Sequence, residues 1–541
     1  MAGSAHVDTF AARSLPPAEQ WPDLIFTLPE LQYPERLNCA ERLLDRHIEQ
    51  GNGGRRCIVA PGVTWTYEDL FHASNRIARV LTEDLGIVPG NRVLLRAPNT
   101  PMMAACWFAV MKAGAIAVTT MPLYRAAELR NIIEKAQIRH ALCDARLGDD
   151  LREAAAETQG FQTLYFGTGD LEERMQGKPG TFATVQTSAQ DVALIGFTSG
   201  TTGTPKAAMH FHRDVLATCE SYGTHVLHAD KDDLFTGSPP LGFTFGLGGI
   251  LLFPLHIGAS TLLLEKAAPE PLLQAIAEYK VNVVFTAPVA YRAMCDMISK
   301  YDVSSLRKCV SAGETLPLAT WRKWHDLTGL KIMDGIGSTE MLHIFVGSPQ
   351  DAIVAGATGR AVPGYVAEIH DEEGNPLAPN TVGRLAVKGP TGCRYLSDDR
   401  QTAYVRNGWN YPGDAYRQDE NGYFWYVART DDMIIAAGYN ISGPEVEQVL
   451  LMHPQVRECA VVGKPVPEKH TNIVKAYVVP VSQEIAGAGL AAELQDFVRG
   501  RIAPFKTPRE IEFVAQLPRT ETGKVQRFRL RQRASGESAT T

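Results

Sequence analysis

Thr198-Ser-Gly-Thr-Thr-Gly-Thr-Pro-Lys206 directly follows the apolar run Val192–Phe197, which has the length and composition of a buried strand. Hydroxyls, two glycines, a proline and a lysine crowd into this short stretch and make a loop rich in hydrogen-bond donors. Gly200 and Gly203 let backbone N–H groups approach phosphate oxygens, and Lys206 adds a point charge. The string is not a Walker A loop: no GxxxxGK[ST] register fits, and Pro205 immediately precedes the lysine. On its own such a run also reads as a Gly/Thr-rich surface turn, so its surroundings decide.

Upstream and downstream, from about Leu37 to Leu264, helical patterns alternate with short apolar runs. Glu68–Leu85 reads as helix, Arg92–Leu95 as strand, Thr100–Ala113 as helix and Ala115–Thr119 as strand, which predicts parallel α/β sheet. A second series runs from Pro269 to Val310, with strands at Val281–Thr286 and Lys308–Val310. Between Ala367 and Tyr426 the texture changes to short strands with Gly/Asn/Pro turns, a β-rich subdomain. Beyond Arg429–Asp432 a compact α+β unit is expected: helix Pro444–Met452, strands Glu458–Val462 and Lys475–Pro480, helix Leu490–Arg501, strand Glu510–Val514. The fold class is therefore α/β, with a large N-terminal unit over residues 1–430 and a small mobile α+β unit over 431–541. The polar end Ser535–Thr541 is expected to be disordered.

The 541 residues are 45% hydrophobic and 21% charged, which excludes a disordered, collagenous or coiled-coil chain. A net charge of −7 argues against a nucleic-acid partner. The nine cysteines are scattered without a CxxC pair and read as reduced thiols of a cytoplasmic protein. Met1–Pro22 lacks the apolar core of a secretory leader, and Leu247–Leu264 is interrupted by Pro254, His256 and glycines, so no membrane association is expected.

Four further segments carry chemistry. In Asp334-Gly-Ile-Gly-Ser-Thr-Glu340 a carboxylate follows a hydroxyl at a tight glycine turn, which suits a hard cation bridging phosphates. Gly408-Trp-Asn-Tyr-Pro-Gly-Asp414 ends in a carboxylate able to accept both hydrogens of a ribose diol. Ala428-Arg-Thr-Asp-Asp-Met433, followed by Gly438-Tyr-Asn-Ile-Ser-Gly-Pro-Glu-Val-Glu447, falls at the joint between the two units. Pro518-Arg-Thr-Glu-Thr-Gly-Lys524 places a lysine after a glycine near the C-terminus. Singly, these read as turns, a charged linker and a solvated lysine.

Together, and with Ser311-Ala-Gly-Glu314, they resemble in content and order the signatures of the adenylate-forming superfamily: acyl- and aryl-CoA ligases, peptide-synthetase adenylation domains and luciferases. The resemblance spans about residues 40–530. It implies an ATP phosphate loop at Thr198, Ser199, Gly200, Thr201, Thr202, Gly203 and Lys206, with Thr339 on the α-phosphate and Glu340 on Mg2+. It also implies a nucleotide site from Gly313, Glu314, Asp334, Gly335 and Ile336, ribose contacts from Asp414 and Arg429, and a hinge at Asp431. Gly438 would let the pantetheine arm of coenzyme A pass, and Lys524 would swing in to neutralise charge during adenylation. Two departures stand out: Ile336 replaces the usual aromatic, and Pro412 replaces the usual threonine before Gly413-Asp414.

Gly337-Ser-Thr-Glu-Met-Leu-His-Ile-Phe345 and Leu241-Gly-Phe-Thr-Phe-Gly-Leu-Gly248 resemble the benzoate-CoA ligase branch, which would place Phe243, Thr244, Ala312, Gly337, His343 and Ile344 around an aromatic ring. The N-terminal stretch Ala5-His-Val-Asp-Thr-Phe-Ala-Ala-Arg-Ser-Leu-Pro-Pro17 is similar to the start of 2-aminobenzoate-CoA ligases, and Met433–Gly438 lacks the lysine common in benzoate ligases. An ortho-substituted benzoate such as 2-aminobenzoate is the expected acid. Benzoate, salicylate, or loading of a carrier protein stay open. A catalytically silent nucleotide binder is disfavoured, since Lys206, Glu340, Asp414, Arg429 and Lys524 are all present. The expected partners are a small aromatic carboxylate, ATP, Mg2+ and coenzyme A, and a homodimer is compatible with the chain.

Overall fold

The computed structural model describes residues 3–198, 205–436, 439–466, 471–520 and 524–536. The first series of strands forms a six-stranded sheet in the spatial order Gln162–Phe166, His140–Asp144, Arg92–Arg96, Ile116–Thr120, Val192–Thr198, Lys206–Phe211. The first five run parallel and the last is antiparallel. Arg92–Arg96 is buried at every position, as expected of a strand covered on both faces.

A nine-stranded sheet holds the second series. Its parallel centre runs Ile332–Gly337, Lys308–Ala312, Val283–Thr286, Leu234–Gly237, Ser260–Leu262, Arg56–Ala60, and antiparallel strands close both edges. The early hairpin Arg56–Thr66 therefore belongs to this second sheet rather than to the first, a long-range pairing that local pattern does not reveal. Helix Pro101–Lys112 explains how the two sheets share one core. Thr100 caps it through the N–H of Met103, proline opens its first turn, and ten of its twelve residues are buried. It touches strands of both sheets, so a helix apolar all round is what the packing requires.

Six short antiparallel strands between Val366 and Arg429 make the β-rich subdomain. Beyond it, a three-stranded sheet of Val456–Val466, Thr471–Pro480 and Glu510–Phe513 packs with helices Gly443–Leu450 and Ala488–Arg499 around its own core. One element was not expected: helix Arg527–Ser535 covers the other face of that sheet through Leu530 and Ala534. Ser535 thus ends a helix instead of opening a disordered tail, and residues 537–541 lie outside the described residues. The interrupted stretch after Leu241 is helical from Thr244 to Ile257, with a π-helical segment at Gly248–Leu252. Among the described residues no helix is long and apolar enough to cross a membrane.

Candidate active site

The phosphate-loop candidate joins the two strands of a hairpin, Val192–Thr198 and Lys206–Phe211, whose last register pair is Thr198 and Lys206. Ser199, Gly200, Thr201, Thr202 and Gly203 lie outside the described residues. Strand alternation puts Lys206, Ala208 and His210 on one face, while Ala207, Met209 and Phe211 enter the opposite core. On that face, Lys206 Nζ stands 5.4 Å from the ring centre of Tyr395.

Tyr395 in turn donates its hydroxyl to Oε1 of Glu340 at 2.5 Å. Thr339 and Glu340 form a short 3-10 turn, Thr339–Met341, capped by Ser338, and both are buried. Their chain enters from strand Ile332–Gly337 and leaves into Ile344–Gly347, an antiparallel pair with a bulge between Ile336 and Gly337. The glycines of the motif are needed for this closeness. A Cβ on Gly335 would sit 2.7 Å from Ile344 Cγ2, and one on Gly337 would sit 2.6 Å from the His343 carbonyl. Ile336 is half-buried against the main core.

Asp334 and Ser311 are register partners on adjacent strands. One carboxylate oxygen of Asp334 is buried without a hydrogen-bond partner, and burial pushes its carboxyl up to about 8. The same strand end carries Ala312, buried, and Gly313, whose φ of +93° requires glycine. Glu314 follows, with Arg519 at 3.5 Å, and burial raises its carboxyl while Arg519 and Lys524 oppose the shift.

Asp414 opens its strand opposite Arg429, and Arg429 donates to Asp414 Oδ2 and to the Pro412 carbonyl, both at 2.9 Å. Burial raises the Asp414 carboxyl, with Arg429 opposing. Lys524 reaches this cleft from the C-terminal unit. Its Cε lies 3.9 Å from where a Cβ of Gly313 would stand, and its Nζ is 5.8 Å from the ring centre of Phe243. Protein crowds the lysine although part of it remains open to solvent. Desolvation lowers its ammonium, with Arg429 adding to the shift and Glu314, Asp414 and Glu340 opposing it.

One of the expected substrate residues, His343, stands in an aromatic cluster. His343 is buried and its ring faces those of Phe253 at 4.5 Å, Tyr222 at 5.5 Å, Phe245 at 5.7 Å and Phe285 at 6.4 Å, centre to centre. Neither ring nitrogen makes a well-formed hydrogen bond, and burial, opposed in part by the Phe245 backbone, drives the imidazole down to about 3, so it is neutral. The π-helical segment supplies the room: a Cβ on Gly248 would sit 2.4 Å from His343 Cδ2. Thr244 is buried beside the Thr339 turn, both methyls facing Gly196. Ile344 is buried, and Phe243 is half-buried at the start of the helical run.

The contacts above link Lys206, Glu340, Thr339 and Thr244 to one another through Tyr395 and Gly196, and set Gly313, Glu314, Asp414, Arg429 and Phe243 around Lys524. Gly438 lies outside the described residues, and only the backbone of Asp431 is described, in the turn Thr430–Asp432. Tyr395, His210, Tyr222 and Gly196 were not anticipated; each touches an expected residue through a contact remote in sequence. A run of alternating residues after Lys206 was the one signal that could have singled out His210.

The AMP-binding enzyme profile matches residues 44–395, and that of the AMP-binding enzyme C-terminal domain matches residues 445–524. A benzoate–CoA ligase of Thauera aromatica is 32% identical over 93% of this chain and 98% of its own. The crystal structure of the anthranilate CoA ligase AuaEII in complex with anthranoyl-AMP superposes with a TM-score of 0.90 at 30% identity, over 95% of this chain and 100% of that one. That of a benzoate CoA ligase from Burkholderia xenovorans LB400 gives 0.84 at 31% identity, over 92% and 100%. The chain belongs to the AMP-binding enzymes of the adenylate-forming superfamily, on the branch that holds the benzoate–CoA ligases.

Proposed function

We propose that this acid–thiol ligase activates a 2-aminobenzoate, or a closely related ortho-substituted benzoate, as its acyl-AMP and passes the acyl group to coenzyme A. The observation that carries the substrate is His343: two nitrogens without a well-formed hydrogen bond, set in an otherwise aromatic wall. A benzene ring matches the apolar faces, and a neutral imidazole accepts a hydrogen bond from an ortho amino or hydroxyl group. Leaving a buried acceptor unpaired costs about 1–3 kcal/mol, so an acid lacking the substituent binds with that deficit. The likeness to an anthranilate CoA ligase supports the same reading.

In the first step a carboxylate oxygen attacks the α-phosphorus of ATP, the bond to the bridging oxygen breaks, and pyrophosphate leaves. Lys206 and Lys524 meet the negative charge with fixed cations, and the Thr339 hydroxyl holds an α-phosphate oxygen. Glu340 would hold a Mg2+ ion: it is a buried carboxylate whose described hydrogen bond, from Tyr395, engages Oε1 alone. When bound, Mg2+ neutralises charge on the phosphates. Asp414 and Arg429 hold the ribose. The small unit then turns about Asp431, withdraws Lys524 and brings the segment around Gly438 to the thiol channel. The coenzyme A sulfur, having given up its proton, attacks the acyl carbonyl, and the bond to AMP breaks.

The test is coenzyme A-dependent AMP release with ATP and Mg2+ over benzoate, 2-aminobenzoate, salicylate, 4-hydroxybenzoate, phenylacetate, acetate and octanoate. A preference for the ortho-substituted benzoates is expected. Preference for acetate or octanoate overturns the pocket, and AMP release without coenzyme A consumption overturns the acceptor.

A further inference from the structure

We propose that His210 is a positioning residue for adenylation, holding the Thr339–Glu340 turn against the hairpin that carries Lys206. His210 is fully buried, and its Nε2 lies 2.7 Å from the Thr339 carbonyl oxygen. A carbonyl only accepts, so Nε2 carries the hydrogen. On the far side of the ring, Nδ1 stands 3.7 Å from Asp214 Oδ2. Asp214 is itself fully buried and fixed by the backbone N–H of Phe211 at 3.1 Å and by the guanidinium of Arg394. Arg394 adjoins Tyr395, whose hydroxyl holds Glu340. The turn is thereby gripped at both residues: Thr339 through its carbonyl and Glu340 through its carboxylate. Both grips meet at the single antiparallel bridge between Ala208 and Tyr395.

Strand geometry gives the arrangement its purpose. Lys206 and His210 lie on one face of one strand, four residues apart, and Gly196 lies across the hairpin opposite Ala208. His210 therefore fixes the distance between the lysine that meets the phosphates and the hydroxyl that meets the α-phosphate. The N–H of Leu342 also donates to that carbonyl, at 3.1 Å, but it belongs to the turn itself; His210 supplies the bond that ties the carbonyl to the hairpin. A merely structural histidine would serve the fold alike in both half-reactions; a positioning one serves the first.

The inference rests on Thr339 and Glu340 acting in adenylation, and the experiment separates the two. His210→Leu removes the donor, whereas His210→Gln can place an amide N–H near the position of Nε2. ATP–pyrophosphate exchange and thioester formation from supplied aryl-AMP are measured for both, with Glu340→Gln alongside and melting curves for each. Exchange in the leucine variant should fall at least about tenfold in kcat, because misplacing a reacting group by about 1 Å costs on that scale or more. The KM for the acid and the thioester step should stay near the parent values, and glutamine should restore most of the exchange. Should the leucine variant not fold, glutamine is compared with His210→Asn, whose amide falls near Nδ1 and cannot reach the carbonyl; asparagine must then be slow and glutamine fast. Equal rates for leucine and glutamine, or for asparagine and glutamine in that case, overturn the inference, as does a loss shared equally by both half-reactions. Normal exchange in Glu340→Gln overturns instead the role given to the turn itself.

Discussion

Gly196 offers a perturbation whose size can be worked out from contact distances. It lies in the strand Val192–Thr198 with a backbone conformation open to any L residue, so alanine adds a methyl and no backbone strain. That methyl would stand 2.7 Å from Thr339 Cγ2 and 3.7 Å from Thr244 Cγ2. Carbon atoms settle at about 3.5–4.0 Å, so Thr339 must retreat by roughly 1 Å while Thr244 stays in ordinary contact. A β-branched side chain has few rotamers to escape into, and the Thr339 carbonyl is tied to His210, so the turn has to move. A displacement of about 1 Å at a reacting group costs on the order of 100-fold, or about 2.7 kcal/mol of barrier. Gly196→Ala should therefore slow ATP–pyrophosphate exchange by about two orders of magnitude with the KM for the acid little changed. Overpacking lowers stability by about 1–3 kcal/mol, so melting curves establish that the assayed protein is folded. Exchange within a factor of about three of the parent would refute the reasoning. So would a loss of equal size in thioester formation from supplied aryl-AMP.

Four further outcomes follow from the site. Lys524→Ala should abolish acyl-AMP formation yet spare thioester formation from supplied acyl-AMP, and equal loss of both sinks its assignment. The lowered ammonium of Lys524 gives up its charge at a lower pH than an ordinary lysine, so exchange should decline early on the alkaline side; Lys524→Arg should move that decline to higher pH. His343→Leu should reduce the kcat/KM ratio of 2-aminobenzoate to benzoate by about 10–100-fold in direct competition, and an unchanged ratio removes His343 from substrate recognition. Asp334 titrates higher folded, at about 8, than the 3.8 of a free side chain; its contribution to stability is complete below 3.8 and is lost as pH rises toward 8. Melting temperatures measured across that window should fall in the parent, by up to about 1.4 kcal/mol of stability per pH unit, and Asp334→Asn should flatten the slope.

Much of this was legible in the chain because its chemistry constrains residue types locally. Strand Val192–Phe197 and the buried runs around Arg92 and Ala115 carry their signal within a few residues, and the structure places strands there. Gly335 and Gly337 are glycine because a side chain would not fit, and Gly313 because its φ of +93° is left-handed; each demand is written at the position itself. Illegible residues share the opposite property. His210 meets Thr339 across 129 positions and Tyr395 meets Glu340 across 55, so their neighbours in sequence carry no trace of the contact. Helix Arg527–Ser535 escaped notice for another reason: its arginines hide a buried pair, Leu530 and Ala534, too sparse to read as a stripe.

The site's two sets of charges are held by different kinds of force, and the difference matches the cycle proposed for them. Lys206, Thr339, Glu340 and Asp414 stand on strand ends or on a turn fixed by buried hydrogen bonds and by glycine contacts that tolerate no added atom. Lys524 is brought in instead by part-exposed contacts such as Arg519 with Glu314 at 3.5 Å. Pairs of that kind contribute about 0–1 kcal/mol each and weaken with salt. A lysine that must leave after one half-reaction cannot be locked in by a deep well, whereas groups that must meet a developing charge within a fraction of an ångström cannot be left loose. Salt should therefore act mainly on the occupancy of the Lys524 position: raising ionic strength should slow exchange in the parent more than it slows thioester formation from supplied aryl-AMP, and charge reversal at Arg519 should remove much of that difference. Equal salt sensitivity of the two half-reactions would mean that the lysine is held by something other than these surface pairs.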